Sequence, residues 1–280
     1  MIRDTTLSAK LWAAAVWTLI GFFVLNLLAM IATVVTSSFA TRWLGTWLPV
    51  GWTTRWYVSA WDEFQLSDIL SVTFQVVFLV VALSGLLGVP AAYALARRNF
   101  PGKRLVLLLF LLPLLVPPIT FGIPLATVLY RTGLAGSMAG VVLANLVPTV
   151  PFVILVMIPF IEQIDPRIEA AARVFGANTW KLFLYVLLPL LVPGMLAALL
   201  LVLVRTIAMF ELTFLTAGPT SQTLVVALYY AVFAAGVRAT QSIDAMAVIY
   251  MVTTLVWLVI ALRFVNPTQI VGRSRSEASA

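Results

Sequence analysis

The sequence contains no cysteine and no histidine among its 280 residues, and only 10% of its residues are charged. The lack of both residue types excludes disulfides, thiol nucleophiles, a histidine general base and the common zinc and haem sites. Enzymatic chemistry within this chain is therefore not expected. The scarcity of charge excludes a water-soluble globule of this length, because soluble domains are about a quarter charged.

Apolar residues dominate the composition. They make up 62% of the chain, and the mean hydropathy is +1.09. Lipid is therefore the predicted solvent for most of the chain. The net charge of +7 is typical of a membrane protein with basic cytoplasmic loops, so no nucleic-acid partner is expected. The first apolar run, from Leu11 to Val35, is too long for a signal-peptide core and lacks a following A-x-A-like site, which predicts a spanning helix.

Six stretches are long and apolar enough to span a bilayer, which takes about 20 residues. They are 12–35, 69–96, 105–130, 136–161, 183–209 and 245–265. All are predicted to be helical, because lipid offers the backbone no hydrogen-bond partner. The prediction is an all-α membrane protein with a tail at 1–11, one six-helix domain at 12–265 and a tail at 266–280. A shorter helix from Leu224 to Phe233 is expected not to span.

Basic residues predict the orientation. Twelve of the 17 Lys and Arg lie in the two tails, in the links 97–104 and 162–182, or, for Arg263, at the end of the sixth span beside the C-terminal tail. This asymmetry predicts a multi-pass protein of the cell inner membrane with both termini in the cytoplasm. The phosphate-binding pattern G-x-x-x-x-G-K-[ST] is absent, so any ATP and Mg must be bound by a partner chain.

The second of these links continues into residues 165–189, which read DPRIEAAARVFGANTWKLFLYVLLP. Asp165 and Pro166 are suited to begin a helix, and Gly176 is suited to end it. An apolar stripe recurs at helical spacing along this segment; it consists of Ile168, Ala171, Ala172 and Phe175. The pattern is also compatible with an amphipathic helix that lies on lipid headgroups.

This segment resembles the EAA loop of type I ATP-binding cassette (ABC) importer permeases. That loop has E-A-A, three residues, Gly, nine residues, an aliphatic residue, any residue and Leu-Pro, and here Gly176 and Pro189 keep the full spacing. The acidic residue is displaced, since Glu169 precedes the first matching position, Ala170. The resemblance implies a type I importer permease fold with an ATPase docking site on the link. The implied docking residues are Glu169, Ala170, Ala171, Ala172, Arg173, Gly176 and Ala177.

Residues 217–230 resemble the G-P-x-x-x-T-L segment of the polyamine, phosphonate and iron importer branch, although that branch's Asp-Glu pair is replaced by Ala208 and Met209. The resemblance implies that the chain forms half of the path for a small polar solute. The implied partners are a second permease, with a homologous heterodimer favoured, two ATPase subunits that bind ATP and Mg, and an extracytoplasmic solute-binding protein.

Prolines and polar residues within the spans mark candidate positions for the path. Kinks are predicted at Pro113, Pro117, Pro118, Pro124 and Pro189, either as fixed packing features or as sites where helices rock. Candidates for contact with solute are Asn145, Thr149, Arg205, Met209, Phe210 and Glu211. For the two fourth-span residues, Asn145 and Thr149, a helix–helix hydrogen bond is the alternative. For Arg205 the alternative is pairing with a neighbour or snorkelling to the interface. Met209 and Phe210 are equally compatible with a gate and with ordinary packing.

Two other functions are weighed against the importer. A transporter or channel that works without ATP requires coupling carboxylates inside the spans, whereas Glu211 and Asp244 are predicted near span ends. A membrane-embedded enzyme requires a convergent set of reactive groups, which the composition makes improbable.

Overall fold

A computed structural model describes residues 7–43, 46–233 and 239–264. These residues form twelve α-helices and one π-helical turn, and no β-strand occurs among them. The helices are α1 (Leu7–Phe39), α2 (Arg55–Glu63), α3 (Leu66–Arg97), α4 (Lys103–Leu115), α5 (Pro118–Arg131), α6 (Met138–Glu162), α7 (Pro166–Val174), α8 (Thr179–Lys181), α9 (Leu188–Ile207), α10 (Glu211–Thr216), α11 (Leu224–Phe233) and α12 (Thr240–Phe264), with the π-turn (Leu182–Leu187) between α8 and α9. The all-α prediction is confirmed.

Within the described ranges, five helical stretches are long and apolar enough to cross a membrane: Ala9–Phe39, Leu66–Arg97, Met138–Glu162, Thr179–Ile207 and Thr240–Ile260. The predicted third span, 105–130, is not one helix. It consists of α4 and α5, which meet at 101°, and the pair makes the sixth candidate span. The predicted short helix from Leu224 to Phe233 is confirmed at both ends.

The break between α4 and α5 lies where prolines follow one another. Val116 and Pro117 both have extended backbone, with ψ of 134° and 133°. A residue before proline is driven out of the helical region. Val116 precedes Pro117 and Pro117 precedes Pro118, so both residues are extended. Pro118 then occupies the first turn of α5, where its missing N–H costs nothing. Two adjacent prolines therefore produce a corner rather than a kink, whereas Pro113 and Pro124 lie within their helices.

The predicted fifth span, 183–209, is also irregular. Its helical stretch begins at Thr179, widens into the π-turn and continues as α9. Pro189 has no N–H for the carbonyl of Tyr185, and the widened turn directly precedes it. The chain then leaves the helix after Ile207 and re-enters one at Glu211, the first residue of α10.

The described residues divide into two compact units, which lie within residues 1–65 and 231–251 and within residues 66–230 and 252–280. In the first unit, the Ser37 hydroxyl donates to an Asp244 carboxylate oxygen at 2.5 Å, and the Trp56 indole donates to the Ala40 carbonyl at 2.7 Å. Most side chains of α1 are exposed in the single chain, as those of a lipid-facing helix are.

The core of the second unit lies between α3, α6 and α9. Glycines bring these helices close together, since a Cβ on Gly88 would lie 2.7 Å from a Val153 methyl and one on Gly194 would lie 2.7 Å from the Phe160 ring. Small residues at such contacts are the usual means of close helix packing in membranes. The contacts also place Gly194 of α9 beside Phe160, near the C-terminal end of α6.

A second close approach joins the turn before α6 to the segment after α10. The Gly136 N–H donates to the Thr216 carbonyl at 2.8 Å, and the Ser221 hydroxyl donates to the Gly136 carbonyl at 3.0 Å. A Cβ on Gly218 would lie 2.6 Å from that same carbonyl oxygen. Because the obstacle is backbone, it cannot move aside as a flexible side chain would.

We expect Gly218→Ala to lower the melting temperature of the detergent-solubilised protein by several degrees, because overpacking costs about 1–3 kcal/mol. Gly21→Ala is the matched control, since a Cβ there meets nothing within 4 Å. Equal melting temperatures for the two variants would show that the Gly136–Gly218 approach is not tight.

Candidate coupling link and translocation path

The link after α6 folds as its sequence predicts. An Asp165 carboxylate oxygen accepts from the Arg167 N–H at 2.9 Å and so caps α7, with Pro166 as its first residue. Gly176 ends the turn after α7 with φ of +84°, a conformation that favours glycine. The Asn178 side chain then accepts from the Lys181 N–H at 2.8 Å and caps α8. The link is a helix, a turn and a second helix.

The outer face of this link is apolar and uncovered in the single chain. Val174 is 85% exposed, Phe175 is 91% exposed and Trp180 is 74% exposed. We call the exposed set the link surface; it consists of Ala170, Ala171, Arg173, Val174, Phe175, Gly176 and Trp180. Of the remaining predicted docking residues, Ala172 and Ala177 are partly buried against the core.

Glu169 points the other way. Its residue is 9% exposed, and its two carboxylate oxygens accept hydrogen bonds from Arg97 Nε and from the Tyr93 hydroxyl, each at 2.6 Å. The predicted role of Glu169 as a contact for an ATPase subunit is therefore not what its geometry provides. The physical reason is the helix period: one residue turns a side chain by about 100°, so Ala170 faces outward and Glu169 faces α3.

A chain of buried hydroxyl and amide groups joins α3, α6 and α10. The Ser84 hydroxyl donates to Thr149 Oγ1 at 2.8 Å, Thr149 donates to the Asn145 carbonyl at 2.8 Å, and Asn145 Nδ2 donates to Thr213 Oγ1 at 3.2 Å. Asn145 and Thr149 are both fully buried. The structure therefore places them in helix–helix contacts, the alternative to contact with solute, although Asn145 Oδ1 has no hydrogen-bond partner in the described chain.

The Arg205 guanidinium lies over the Phe152 ring, 5.7 Å from its centroid. Because α6 runs from Met138 to Glu162, Phe152 lies about 21 Å from one end of that helix and about 15 Å from the other, at 1.5 Å per residue. Arg205 therefore places its charge near the middle of the bundle. Among the described residues it forms no ion pair, since the one salt bridge there joins Arg97 and Glu169.

The segment after the break between α9 and α10 lies nearer the Met138 end of α6. Thr213, two residues into α10 from Glu211, contacts Asn145, which is about 10 Å along α6 from Met138. Met209 is buried in a cluster with Leu129, Ala144 and Leu212. Glu211 begins α10, four residues after the fifth candidate span ends at Ile207. Its position near a span end is therefore as predicted, and it also lies directly after a helix break.

Phe210 belongs to an aromatic cluster that the sequence interpretation missed. Its ring lies 5.1 Å from that of Phe214 and 4.9 Å from that of Tyr229, and Tyr230 lies 5.7 Å from Phe214. The spacing of Phe210 and Phe214 by four residues was the available signal, because such residues share a helix face. Their contact with Tyr229 and Tyr230 required the fold.

Residues 84–270 match the model of the family described as binding-protein-dependent transport system inner membrane component. The match covers more than half of the chain and includes the link, the α9–α10 break and the aromatic cluster. The chain belongs to this family. It is the permease subunit of an ABC importer, a membrane component and not the ATPase of the complex.

Named relatives agree with this assignment. The chain is 35% identical over 173 residues to the molybdenum transport system permease protein ModB of Haemophilus influenzae, covering 54% of this chain and 75% of that one. It is 29% identical over 174 residues to the sulfate transport system permease protein CysW of a Synechocystis strain, covering 58% of this chain and 63% of that one. The resemblance to the polyamine, phosphonate and iron branch stays a prediction.

Solved structures share the fold. A chain of a bacterial ABC transporter that imports the acidic polysaccharide alginate aligns with a TM-score of 0.77 at 17% identity, over 95% of this chain and all of that one. A chain of the MetNI methionine ABC transporter in an inward-facing conformation aligns with a TM-score of 0.54 at 17% identity, over 72% of this chain and 95% of that one. The type I importer permease fold is thereby confirmed.

We expect Thr149→Val to destabilise the protein by about 1–3 kcal/mol, because it leaves the buried Ser84 hydroxyl without its acceptor. The double variant Ser84→Ala with Thr149→Val removes both groups and should recover part of that loss. Thermal unfolding of Thr149→Val, of Ser84→Ala and of the double variant gives the coupling energy between the two hydroxyl groups. Strictly additive losses would show that the two hydroxyl groups do not interact.

Proposed function

We propose that this permease forms half of a translocation path, with a second, homologous permease forming the other half. Two cytoplasmic ATPase subunits dock on the link surface, and an extracytoplasmic binding protein delivers the solute. Both termini lie in the cytoplasm, as the distribution of Lys and Arg favours. The ATPase subunits, not this chain, bind ATP and Mg. Closure of the ATPase dimer pulls the links together and rocks the helices around the path.

The uncovered apolar residues of the link carry this proposal. Exposed apolar surface rimmed by polar groups is typical of an interaction site, and Val174, Phe175 and Trp180 lie beside Arg173 and Lys181. A headgroup-bound helix remains the alternative occupant of this face. The family assignment favours a protein partner, because importer permeases must transmit work from a separate ATPase.

We expect Phe175→Glu to abolish co-purification of the ATPase subunit with the permease, because a charge replaces an apolar contact at the centre of the link surface. The exposed position of Phe175 leaves the fold intact. Phe100→Glu is the matched control, since Phe100 is an exposed phenylalanine, 42% accessible, in the other basic link. Retention of the ATPase subunit by the Phe175 variant would show that this face is not the docking contact.

The break between α9 and α10 supports the position of the path. Discontinuous helices form the substrate sites of other transporters, because irregular backbone within a membrane protein must line a cavity or be covered by protein. Arg205, Phe210 and Glu211 flank the break. Arg205 has a fixed charge without an anionic partner among the described residues, and it favours an anionic group on the solute. Relatives whose names specify sulfate fit that class, whereas a polyamine does not.

We expect Arg205→Gln to reduce ATP-driven uptake at least tenfold and Arg205→Lys to retain part of it, because an ammonium keeps the charge but not the planar stacking on Phe152. A thermal-shift screen of the binding protein against sulfate, molybdate, a sugar and putrescine first identifies the probe for uptake into reconstituted vesicles. A binding protein stabilised only by putrescine would contradict the anionic class. Uptake that proceeds without ATP would instead favour a secondary transporter.

A further inference from the structure

Glu169, Arg97 and Tyr93 form a buried cluster that the proposed docking contact does not use. The side chains of Arg97 and Glu169 are 16% and 11% exposed. Arg97 Nε donates to one carboxylate oxygen of Glu169 at 2.6 Å, and the Tyr93 hydroxyl donates to the other at 2.6 Å. Both oxygens of Glu169 are thus engaged by α3.

Arg97 also reaches the chain just before the link. Its Nη2 donates to the Ile164 carbonyl at 2.6 Å, so one guanidinium holds both the segment between α6 and α7 and the middle of α7. Tyr93 and Arg97 are four residues apart and therefore project from the same face of α3. The Tyr93 ring in turn packs edge-on against Phe183 of the π-turn, with 5.9 Å between centroids.

We propose that Arg97, Tyr93 and Glu169 act as a transmission clamp, which carries movement of the docked link to α3. This inference rests on the proposed docking of an ATPase subunit. The clamp joins α7 to α3, a helix that is not adjacent to α7 in the sequence. Without these bonds, force applied to α7 passes mainly through its covalent connections to α6 and to the α8–α9 segment.

Two features suit the cluster to this role. Hydrogen bonds to charged groups are about twice as strong as neutral ones, and partial burial protects them from solvent. Pro90, seven residues before Arg97, removes a backbone hydrogen bond within α3. The last two turns of α3 are therefore held firmly to the link at one end and joined through a weakened point to the rest of the helix.

The displaced acidic residue acquires a function in this arrangement. A carboxylate at position 170 would face outward on the link surface, whereas Glu169 faces α3 and ties the link to the bundle. Glu169 is thus a positioning residue, whose effect reaches the path through α3. The same side chain cannot serve as a free ion-pair partner for the ATPase subunit while both of its oxygens are engaged within the chain.

The test uses the assembled complex and two reporter sites. The chain has no cysteine of its own, so Arg167→Cys on α7 and Ala94→Cys on α3 each accept one environment-sensitive fluorophore at an exposed position. A complex without an introduced cysteine gives the background from the partner chains. The signal is the change in fluorescence when the complex is trapped with ATP and vanadate.

In the otherwise unaltered complex, both labels should respond to trapping. We expect Glu169→Gln to leave the α7 response and ATPase co-purification intact and to reduce the α3 response more than twofold. Tyr93→Phe removes one of the two bonds to Glu169 and should give a smaller reduction. Arg98→Gln is the matched control, because Arg98 is the adjacent exposed arginine and should alter neither response.

The outcomes separate the clamp from the docking proposal. An α3 response that survives Glu169→Gln overturns the clamp and leaves docking in place. Loss of ATPase co-purification in the Glu169 variant also overturns it, because the residue would then serve assembly rather than transmission. A complex in which neither label responds before any clamp residue is changed contradicts the proposed docking, and the clamp fails with it.

Discussion

At membrane depth, every backbone N–H and C=O of this chain must find a partner within the protein, because lipid offers none. Straight apolar helices meet that requirement by themselves, whereas helix breaks meet it only where other protein covers them. At the corner after α4, the Val116 N–H still bonds to the Leu112 carbonyl at 2.9 Å, and after α9 the Met209 N–H bonds to the Thr206 carbonyl at 3.1 Å. Both interruptions therefore keep these N–H groups paired within the chain, and each break depends on such local bonds and on the helices that surround it.

The same requirement sorts the polar side chains inside the bundle. Ser84, Thr149 and Thr213 find partners on neighbouring helices, so they stabilise packing and need no solute. Arg205 differs, because a ring face satisfies it only in part and a charge at this depth calls for an anion. The satisfied hydroxyl groups hold the helices together. Arg205, and Asn145 through its unpaired Oδ1, are incompletely satisfied among the described residues and are the better candidates for contact with the solute.

The sequence was sufficient for those features that depend on local chemistry. Hydrophobic length predicted the spans, and Asp165, Pro166 and Gly176 predicted the ends of α7. The corner at Pro117 was not predictable as a corner, because adjacent prolines are compatible with a kink or a break and the packing of α5 decides between them. The partner of Glu169 was also hidden, since Arg97 lies 72 residues away in sequence. Periodicity shows that Glu169 and Ala170 face different directions, but only the fold shows what each direction contains.

The inward position of Glu169 changes how the link can be held from outside. A helix of nine residues is not stable alone, so α7 depends on its cap, on the packing of Ala172 and on the bonds from α3. Among the described residues, its outer face makes no packing contact that stabilises the helix, and it consists largely of apolar side chains. Salt does not screen apolar burial as it screens an exposed ion pair. A partner that covers Val174 and Phe175 would therefore be bound chiefly by the hydrophobic effect. The charged contact lies inside the chain, where burial makes it strong, and the apolar contact lies outside, where a separate protein can cover it.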